Sequence, residues 1–205
     1  MIMILYLFGG SSPDNSEKQW SLVKSKIEEI GHREIIYLGY AKKGSNSEEG
    51  LFLRRKLFLE FSNEINDYSV EGKARTQNPL IFIDGGHNGS NLSESVLRNQ
   101  KLMNLIASVD YLVGESRGAV FTSAKMRLDK EGAIFSDGLN LIKGAIVEGH
   151  YSQKGRQDLL KQDMVKTGLS IGIGIDEACG IKIDTNLFPE KYETFGDGKV
   201  EVLKS

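Results

Sequence analysis

The chain has 205 residues, and its 26 basic and 28 acidic side chains give a formal net charge of −2. This balance disfavours a basic module that binds nucleic acid or an anionic membrane surface. With 40% hydrophobic and 26% charged residues, the composition is that of a folded protein, and the length predicts a single domain spanning residues 1–205. Glycine is unusually frequent, with 23 residues, or roughly 11% of the chain, where about 7% is usual.

Cysteine usage points to a reducing compartment. Cys179 is the only cysteine in the sequence, so no intramolecular disulfide can form. One cysteine and three histidines do not provide a cluster with zinc-ligand spacing, and we expect neither a metal nor a cofactor. The apolar run Met1–Phe8 is too short to cross a bilayer and lacks the features of a signal peptide. We therefore expect a cytoplasmic protein.

Strand and helix patterns alternate through residue 125. Short apolar runs that end in Gly or a polar turn predict buried strands at Met3–Phe8, Glu34–Gly39, Leu80–Asp84 and Asp110–Gly114. Apolar residues at three-to-four spacing predict helices at 16–30, where Ser16 and Gln19 suit a capping box, at Glu48–Ile65 and at Leu92–Ile106. This alternation predicts an α/β fold, a mostly parallel sheet with helices on both faces.

Shorter segments follow residue 125. A helix is predicted at Gln157–Val165, after an apolar segment at Leu139–Val147. Strands are predicted at Ser170–Ile175, Cys179–Ile183 and near Val200–Leu203. We expect this tail to form a meander that closes the sheet.

Glycine-rich segments follow three of the strands, at the sheet edge where open parallel sheets bind ligands. One of them, Gly114-Glu115-Ser116-Arg117-Gly118, has the Gly-x-Ser-x-Gly pattern of a nucleophile elbow, between a predicted strand and helix-compatible residues. A serine nucleophile needs a base. Of the three histidines, His32 lies in a turn at the opposite edge, whereas either His87 or His150 could reach the serine.

The glycine loop after the third predicted strand could stabilise an oxyanion. Backbone N–H groups of Gly86 and Arg117 could converge there on a developing negative charge. The loop lacks the Gly-Lys-Ser/Thr ending of a P-loop and the third glycine of a dinucleotide fingerprint. Nucleotide binding therefore has little support from the sequence.

Four motifs occur in one order along the chain, at Ile81–Asn88, Gly114–Ala119, Gly138–Leu141 with His150–Arg156, and Gly174–Glu177. Together they resemble the dipeptidase E and cyanophycinase family of serine peptidases. The resemblance implies a three-layer α/β sandwich like that of class I glutamine amidotransferases. It also implies Ser116 as nucleophile, His150 rather than His87 as general base, and the Gly86 and Arg117 amides as oxyanion hole.

The resemblance further implies an acidic residue between Ser116 and His150 as the third catalytic residue. Asp129 is favoured, while Glu131 and Asp137 remain open. The sequence departs from the family pattern at Arg117, where the family has Ala, and in the glycine loop, which keeps Asn88 but has His87 and Gly89 at its other positions.

Arg156, Arg117 and Asn88 are the side chains that we expect to contact a substrate, the arginines because an acidic substrate group needs a fixed cation. Asp176 and Glu177 end a predicted strand without a third ligand nearby, so we expect a structural hydrogen-bonding role rather than metal binding.

The sequence thus favours a serine peptidase that cleaves small peptides, including Asp-containing or isopeptide substrates, through an acyl-enzyme. The expected partner is a small peptide rather than a nucleic acid or a membrane, and a homodimer is left open. The altered glycine loop and Arg117 also allow a second hypothesis, in which the chain is a catalytically inactive ligand-binding protein of the same fold.

Overall fold

A computed structural model describes residues 2–31, 34–42, 65–129 and 134–205. Its strands are β1 (Ile4–Phe8), β2 (Ile35–Leu38), β3 (Ile65–Asp67), β4 (Leu80–Ile83), β5 (Tyr111–Glu115), β6 (Lys125–Arg127), β7 (Phe135–Asp137), β8 (Ala145–Gly149), β9 (Ile171–Ile175), β10 (Cys179–Asp184), β11 (Tyr192–Gly196) and β12 (Val200–Lys204). Its α-helices are α1 (Ser16–Ile30), α2 (Tyr68–Glu71), α3 (Gly89–Leu97), α4 (Gln100–Ser108), α5 (Arg117–Phe121) and α6 (Gln157–Thr167).

Seven strands form the largest sheet, in the order β11-β10-β1-β5-β4-β2-β3. The five strands from β1 to β3 in that order run parallel, and β10 and β11 extend the sheet antiparallel at one edge. Parallel strands bring their carboxyl ends to one edge, so the segments after β1, β4 and β5 lie side by side. The predicted mostly parallel α/β sheet is confirmed.

Helices cover both faces of this sheet because the side chains of its strands alternate. In β1, Leu5 and Leu7 pack into the core that contains the apolar faces of α3 and α4. Tyr6 and Phe8 point to the opposite face, where Val23 and Ile27 of α1 pack against them. Strands buried on both faces read as continuous apolar runs, which is why the sequence reveals them.

The tail departs from the predicted meander. Strand β10 pairs with β1 in the main sheet, whereas β9 pairs with β8 and β12 in a separate three-stranded sheet. Within this second sheet β8 and β9 are parallel, so the residues after both strands lie at one edge. The His150 N–H, after β8, and the Ala178 N–H, after β9, donate to the Gly9 and Gly10 carbonyls, which brings this edge to the end of β1.

Two helix predictions are also corrected. The segment Leu92–Ile106 forms two helices because the Asn99 side chain accepts a hydrogen bond from the Leu102 N–H at 3.1 Å and starts α4. Ser16 and Gln19 do not form a capping box. A 3₁₀ turn at Pro13–Asn15 precedes α1, and there the Ser12 N–H donates to Asn15 Oδ1 at 2.9 Å.

The helix predicted at Glu48–Ile65 lies outside the described residues, apart from Ile65 in β3. None of the helices that the structure describes has the length and apolarity needed to cross a membrane.

Replacing Asn99 should destabilise the chain at the junction between α3 and α4. Asn99→Ala leaves the first turn of α4 uncapped and should lower the free energy of unfolding by about 1 kcal/mol. Urea denaturation measures the difference, with the exposed Lys101→Ala on the same helix as the control. Equal stability of the two variants would contradict a capping role for Asn99.

Candidate active site

Ser116 occupies a sharp turn between β5 and α5. Its backbone has φ 49° and ψ −111°, a conformation that residues other than glycine rarely adopt. The turn is fixed because the Ser116 N–H donates to the Phe8 carbonyl of β1 at 2.9 Å. A strained serine at a strand-to-helix turn has the backbone geometry of a nucleophile elbow.

The two glycines that flank the serine are required by close packing in this turn. A Cβ at Gly118 would collide with the carbonyl oxygen of Ile83 in β4. A Cβ at Gly114 would lie 2.8 Å from the Cα of Ala119, which is closer than side chains approach. The Gly-x-Ser-x-Gly pattern therefore has a steric cause in this fold.

His150 follows β8 and faces the serine. Its Nε2 lies 3.1 Å from Ser116 Oγ, within hydrogen-bond distance. The His150 backbone has φ 49°, and its N–H donates to the Gly9 carbonyl after β1 at 2.8 Å. His150 follows a strand of the second sheet, and this backbone contact with the main sheet thus fixes the position of its imidazole. His87, the other histidine considered at this edge, is exposed and lines the same cleft, and His32 lies outside the described residues.

Glu177 contacts the other ring nitrogen of His150. Its Oε1 lies 2.6 Å from His150 Nδ1, and its Oε2 accepts a hydrogen bond from Asn15 Nδ2 at 2.8 Å. The Glu177 N–H donates to Gln153 Oε1 at 3.1 Å, and the residue is buried. Ser116, His150 and Glu177 therefore form a continuous chain of side chains.

The pKa values of His150 and Glu177 favour a neutral imidazole beside an ionised carboxylate. Burial lowers the pKa of His150 below its usual value and outweighs the opposing hydrogen bond to Glu177. Burial alone would raise the pKa of Glu177, but hydrogen bonds from His150, Asn15 and Ser12 lower it overall. An ionised carboxylate only accepts, so Nδ1 carries the proton and Nε2 is free to accept from Ser116 Oγ.

The carboxylate beside His150 is therefore not the Asp129 favoured from the sequence. Both ring nitrogens of His150 already have partners, and Asp129 Oδ1 accepts a hydrogen bond from the Ile134 N–H at 3.1 Å. Asp137 is exposed and pairs with Lys125 Nζ at 2.7 Å, and Glu131 lies outside the described residues.

The expected hydrogen-bonding role does hold for Asp176, the neighbour of Glu177. Its two carboxylate oxygens accept from the Ser152 and Lys199 N–H groups at 2.8 and 3.0 Å. The two acidic residues are adjacent in sequence, but their surroundings differ. The available signal for Glu177 was its place two residues after β9, which is parallel to β8 and ends at the same edge as that strand, just before His150.

The resemblance implies the Gly86 and Arg117 amides as the oxyanion hole, and both residues lie at the cleft that holds the serine. Within the described part of the chain neither N–H donates a hydrogen bond. Asn88, expected at the substrate, instead caps α3, where its Oδ1 accepts from the Asn91 N–H at 3.0 Å, and it does not line the cleft. The side-chain amide oxygen of Asn88 therefore already has a hydrogen-bond donor within the fold.

The cleft has a volume of about 900 Å³ and a cationic wall. Three arginines line it, and two of them pair with carboxylates. Arg127 bonds Glu148 and also Asp163, the latter at 2.9 Å, in a buried network that the sequence did not reveal. Arg156 bonds Glu148 and the Gly149 carbonyl.

Arg117 differs from these two arginines. Its Nη1 donates to the Arg127 carbonyl at 2.6 Å, and it makes no ion pair with a carboxylate of the described residues. Burial is the main effect that lowers the pKa of its guanidinium. Arg117 thus brings a positive charge to the cleft, one residue after the serine.

No family model and no curated protein sequence matches this chain. Among solved structures, it is similar to a peptidase from an acI-B1 Actinobacterium, with a TM-score of 0.67 and 23% identity over 100% of this chain and 91% of the other. It is also similar to a protein from Listeria monocytogenes EGD-e provisionally named peptidase E, with a TM-score of 0.64 and 17% identity over 96% of this chain and 100% of the other. The chain therefore shares its fold with these structures, in agreement with the resemblance seen in its motifs.

The pairing of His150 with Glu177 can be tested without an activity assay. Glu177→Gln removes the negative charge at Nδ1 and should lower the pKa of His150 further, because the imidazolium loses its partner. Asp129→Asn is the matched control and should leave that pKa unchanged. NMR titration of the imidazole C–H signals measures both variants. If Asp129→Asn shifted the pKa of His150 more than Glu177→Gln does, the partner of His150 would be Asp129 and not Glu177.

Proposed function

We propose that this chain is a serine peptidase of the peptidase E type, which cleaves small peptides through an acyl-enzyme. In this proposal Ser116 is the nucleophile and His150 the general base. Glu177 orients the imidazole and stabilises its protonated form, in place of the acidic residue expected between them. The observation that carries the proposal is the chain from Ser116 Oγ to His150 Nε2 and from His150 Nδ1 to Glu177.

The arrangement of Ser116, His150 and Glu177 suits the first half of such a reaction, the formation of the acyl-enzyme. As Ser116 Oγ attacks the peptide carbonyl carbon, His150 Nε2 takes its proton, and the carbonyl oxygen becomes an oxyanion. The N–H groups of Gly86 and Arg117 are the proposed donors to this oxyanion, and each such donor contributes about 3–4 kcal/mol in comparable sites. His150 then passes its proton to the leaving amine, the C–N bond breaks, and an ester to Ser116 remains.

The second half of the reaction, the hydrolysis of the ester, uses the same groups to activate a water molecule. His150 takes a proton from the water that attacks the ester carbonyl, and then returns a proton to Ser116 Oγ as the acid product leaves. Glu177 remains ionised throughout, because its role is to hold the tautomer and to stabilise the imidazolium. The two Glu177 oxygens are held by His150 and Asn15, which keeps that orientation through both steps.

The cleft supports a peptide that carries a carboxylate as the substrate. Arg117 is a cation beside the serine, whereas the charge of Arg156 is already matched by Glu148. Arg156 is therefore better suited to shaping the wall than to binding an acidic side chain, and Arg117 is the favoured contact. Peptides with an aspartate at the cleaved bond are the first to assay.

Turnover of dipeptides tests the proposal. A set with Asp, Asn or Ala before the cleaved bond should include a substrate whose hydrolysis Ser116→Ala abolishes. On that substrate Glu177→Gln should lower kcat by on the order of 10⁴-fold, because the imidazole loses the group that fixes its tautomer. Asp129→Asn should lie within a few-fold of the wild type. Wild-type turnover by Ser116→Ala would refute the assignment of the nucleophile and favour another use of the cleft.

The pH profile gives a second test. Only the neutral imidazole can accept the serine proton, and the pKa of His150 lies below its usual 6.5. Log kcat/KM should therefore fall with decreasing pH by one unit per pH unit, with its midpoint below 6.5. Steady-state rates between pH 4 and pH 8 measure this limb. A midpoint well above 6.5 would conflict with a buried imidazole as the base.

A further inference from the structure

A second pair of acidic residues lies directly beneath the elbow. Asp84 follows β4 and Glu115 ends β5, with exposed fractions of 2% and 5%. Glu115 immediately precedes Ser116, and Asp84 immediately precedes the Gly85–Gly86 turn. Neither takes part in the chain from Ser116 to Glu177, so their burial at this place has no explanation in the mechanism above.

Asp84 has the partners of a buried carboxylate. Its Oδ1 accepts from the Gly85 N–H at 2.7 Å. Its Oδ2 lies 3.0 Å from Lys42 Nζ and accepts a hydrogen bond from the Tyr37 hydroxyl. One cation and two hydrogen bonds therefore match a single negative charge.

Glu115 has no such set of partners. Its Oε2 lies so close to Gly85 that a Cβ there would collide with it, and it makes no ion pair with the described residues. Burial and the charge of Asp84 raise the pKa of Glu115 to about 8, against the opposing influence of Lys42 and the Gly85 N–H. Glu115 is consequently mostly protonated at neutral pH.

The remaining charged and titratable groups around Glu115 are on the other elements at this edge. Lys42 and Tyr37 come from β2 and the segment after it, on the Asp84 side. His150 and Arg117 line the cleft with Glu115, and the β1 residue opposite it is the apolar Phe8. Of these groups only Asp84 and Lys42 act appreciably on Glu115.

We propose that Glu115 is a positioning residue for the reaction: its neutral carboxyl group holds the Gly85–Gly86 turn so that the Gly86 N–H faces the oxyanion, and its ionisation displaces that turn. The inference rests on the proposed function. When Glu115 ionises, two negative carboxyl groups are buried beside each other, and they repel. Ser116 is fixed by its hydrogen bond to Phe8, so the Gly85–Gly86 turn, which contacts both carboxyl groups, is the part that moves.

The alkaline limb of the pH profile tests this role. Wild-type kcat should fall about fivefold between pH 8 and pH 9, since a group with a pKa near 8 goes from about half protonated to about one-tenth protonated over that range. Glu115→Gln keeps a neutral side chain of the same shape and should abolish this limb. Glu94→Gln, an exposed change on α3, is the control and should keep it. An unchanged alkaline limb in Glu115→Gln would overturn the proposal.

A second variant and a second readout guard against poor folding of the Glu115→Gln variant. Lys42→Met removes the cation that favours ionised Glu115, so the alkaline midpoint should move to higher pH. A midpoint that stays in place or moves down would also contradict the role of Glu115.

Unfolding measurements separate this inference from the proposed function, because they need no substrate. A carboxyl group whose pKa rises from 4.5 when unfolded to about 8 when folded makes the wild type less stable as pH rises between those values. The melting temperature of Glu115→Gln minus that of the wild type should therefore increase from pH 5 to pH 8. A pH-independent difference would overturn the inference. An increasing difference in a chain that cleaves no peptide would refute the proposed function and, with it, the positioning role, while leaving the buried neutral acid established.

Discussion

The site depends on a close backbone crossing at the end of β1. The Gly9 carbonyl accepts the His150 N–H at 2.8 Å, and the Gly10 carbonyl accepts the Ala178 N–H at 3.1 Å. A Cβ at Gly9 would collide with the Asp176 carbonyl, and one at Gly10 would lie 2.5 Å from His150 Nε2. Only glycines allow the two sheets to approach this closely, and the approach brings Ser116, His150 and Glu177 together from separate segments.

Burial acts in opposite ways on the two glutamates of the site. Hydrogen bonds from His150, Asn15 and Ser12 overcome the effect of burial on Glu177, whose pKa falls. Glu115 lacks comparable donors and lies beside Asp84, so burial raises its pKa. Two buried glutamates, one next to Ser116 in sequence and one hydrogen-bonded to His150, thus adopt different charge states because their hydrogen-bond donors differ. The ionised one supports the imidazole, and the neutral one contacts the glycine turn.

Much of the main sheet could be predicted because strands buried on both faces are continuous apolar runs that end in glycine. Strand β11 was missed because its residues are mostly exposed and its sequence, Tyr-Glu-Thr-Phe-Gly, has no continuous apolar run. At the site, the pattern around Ser116 pointed to that serine, whereas His87 and His150 stayed equally open until the resemblance to the peptidase E family favoured His150. Glu177 was not selected, because order along the chain does not limit which carboxylate reaches an imidazole in space. The network of Arg127 with Glu148 and Asp163 joins residues up to 36 positions apart, so no local sequence pattern predicts it.

In the proposed mechanism Glu177 and His150 together activate Ser116, and the rate at which a fluorophosphonate modifies the protein reports this activation. Intact mass spectrometry followed by peptide mapping gives both the rate and the modified residue. We expect one adduct per chain at Ser116 in the wild type, and modification of Glu177→Gln that is slower by at least about a hundredfold. Equal rates in the wild type and Glu177→Gln, or an adduct at another residue, would contradict this mechanism.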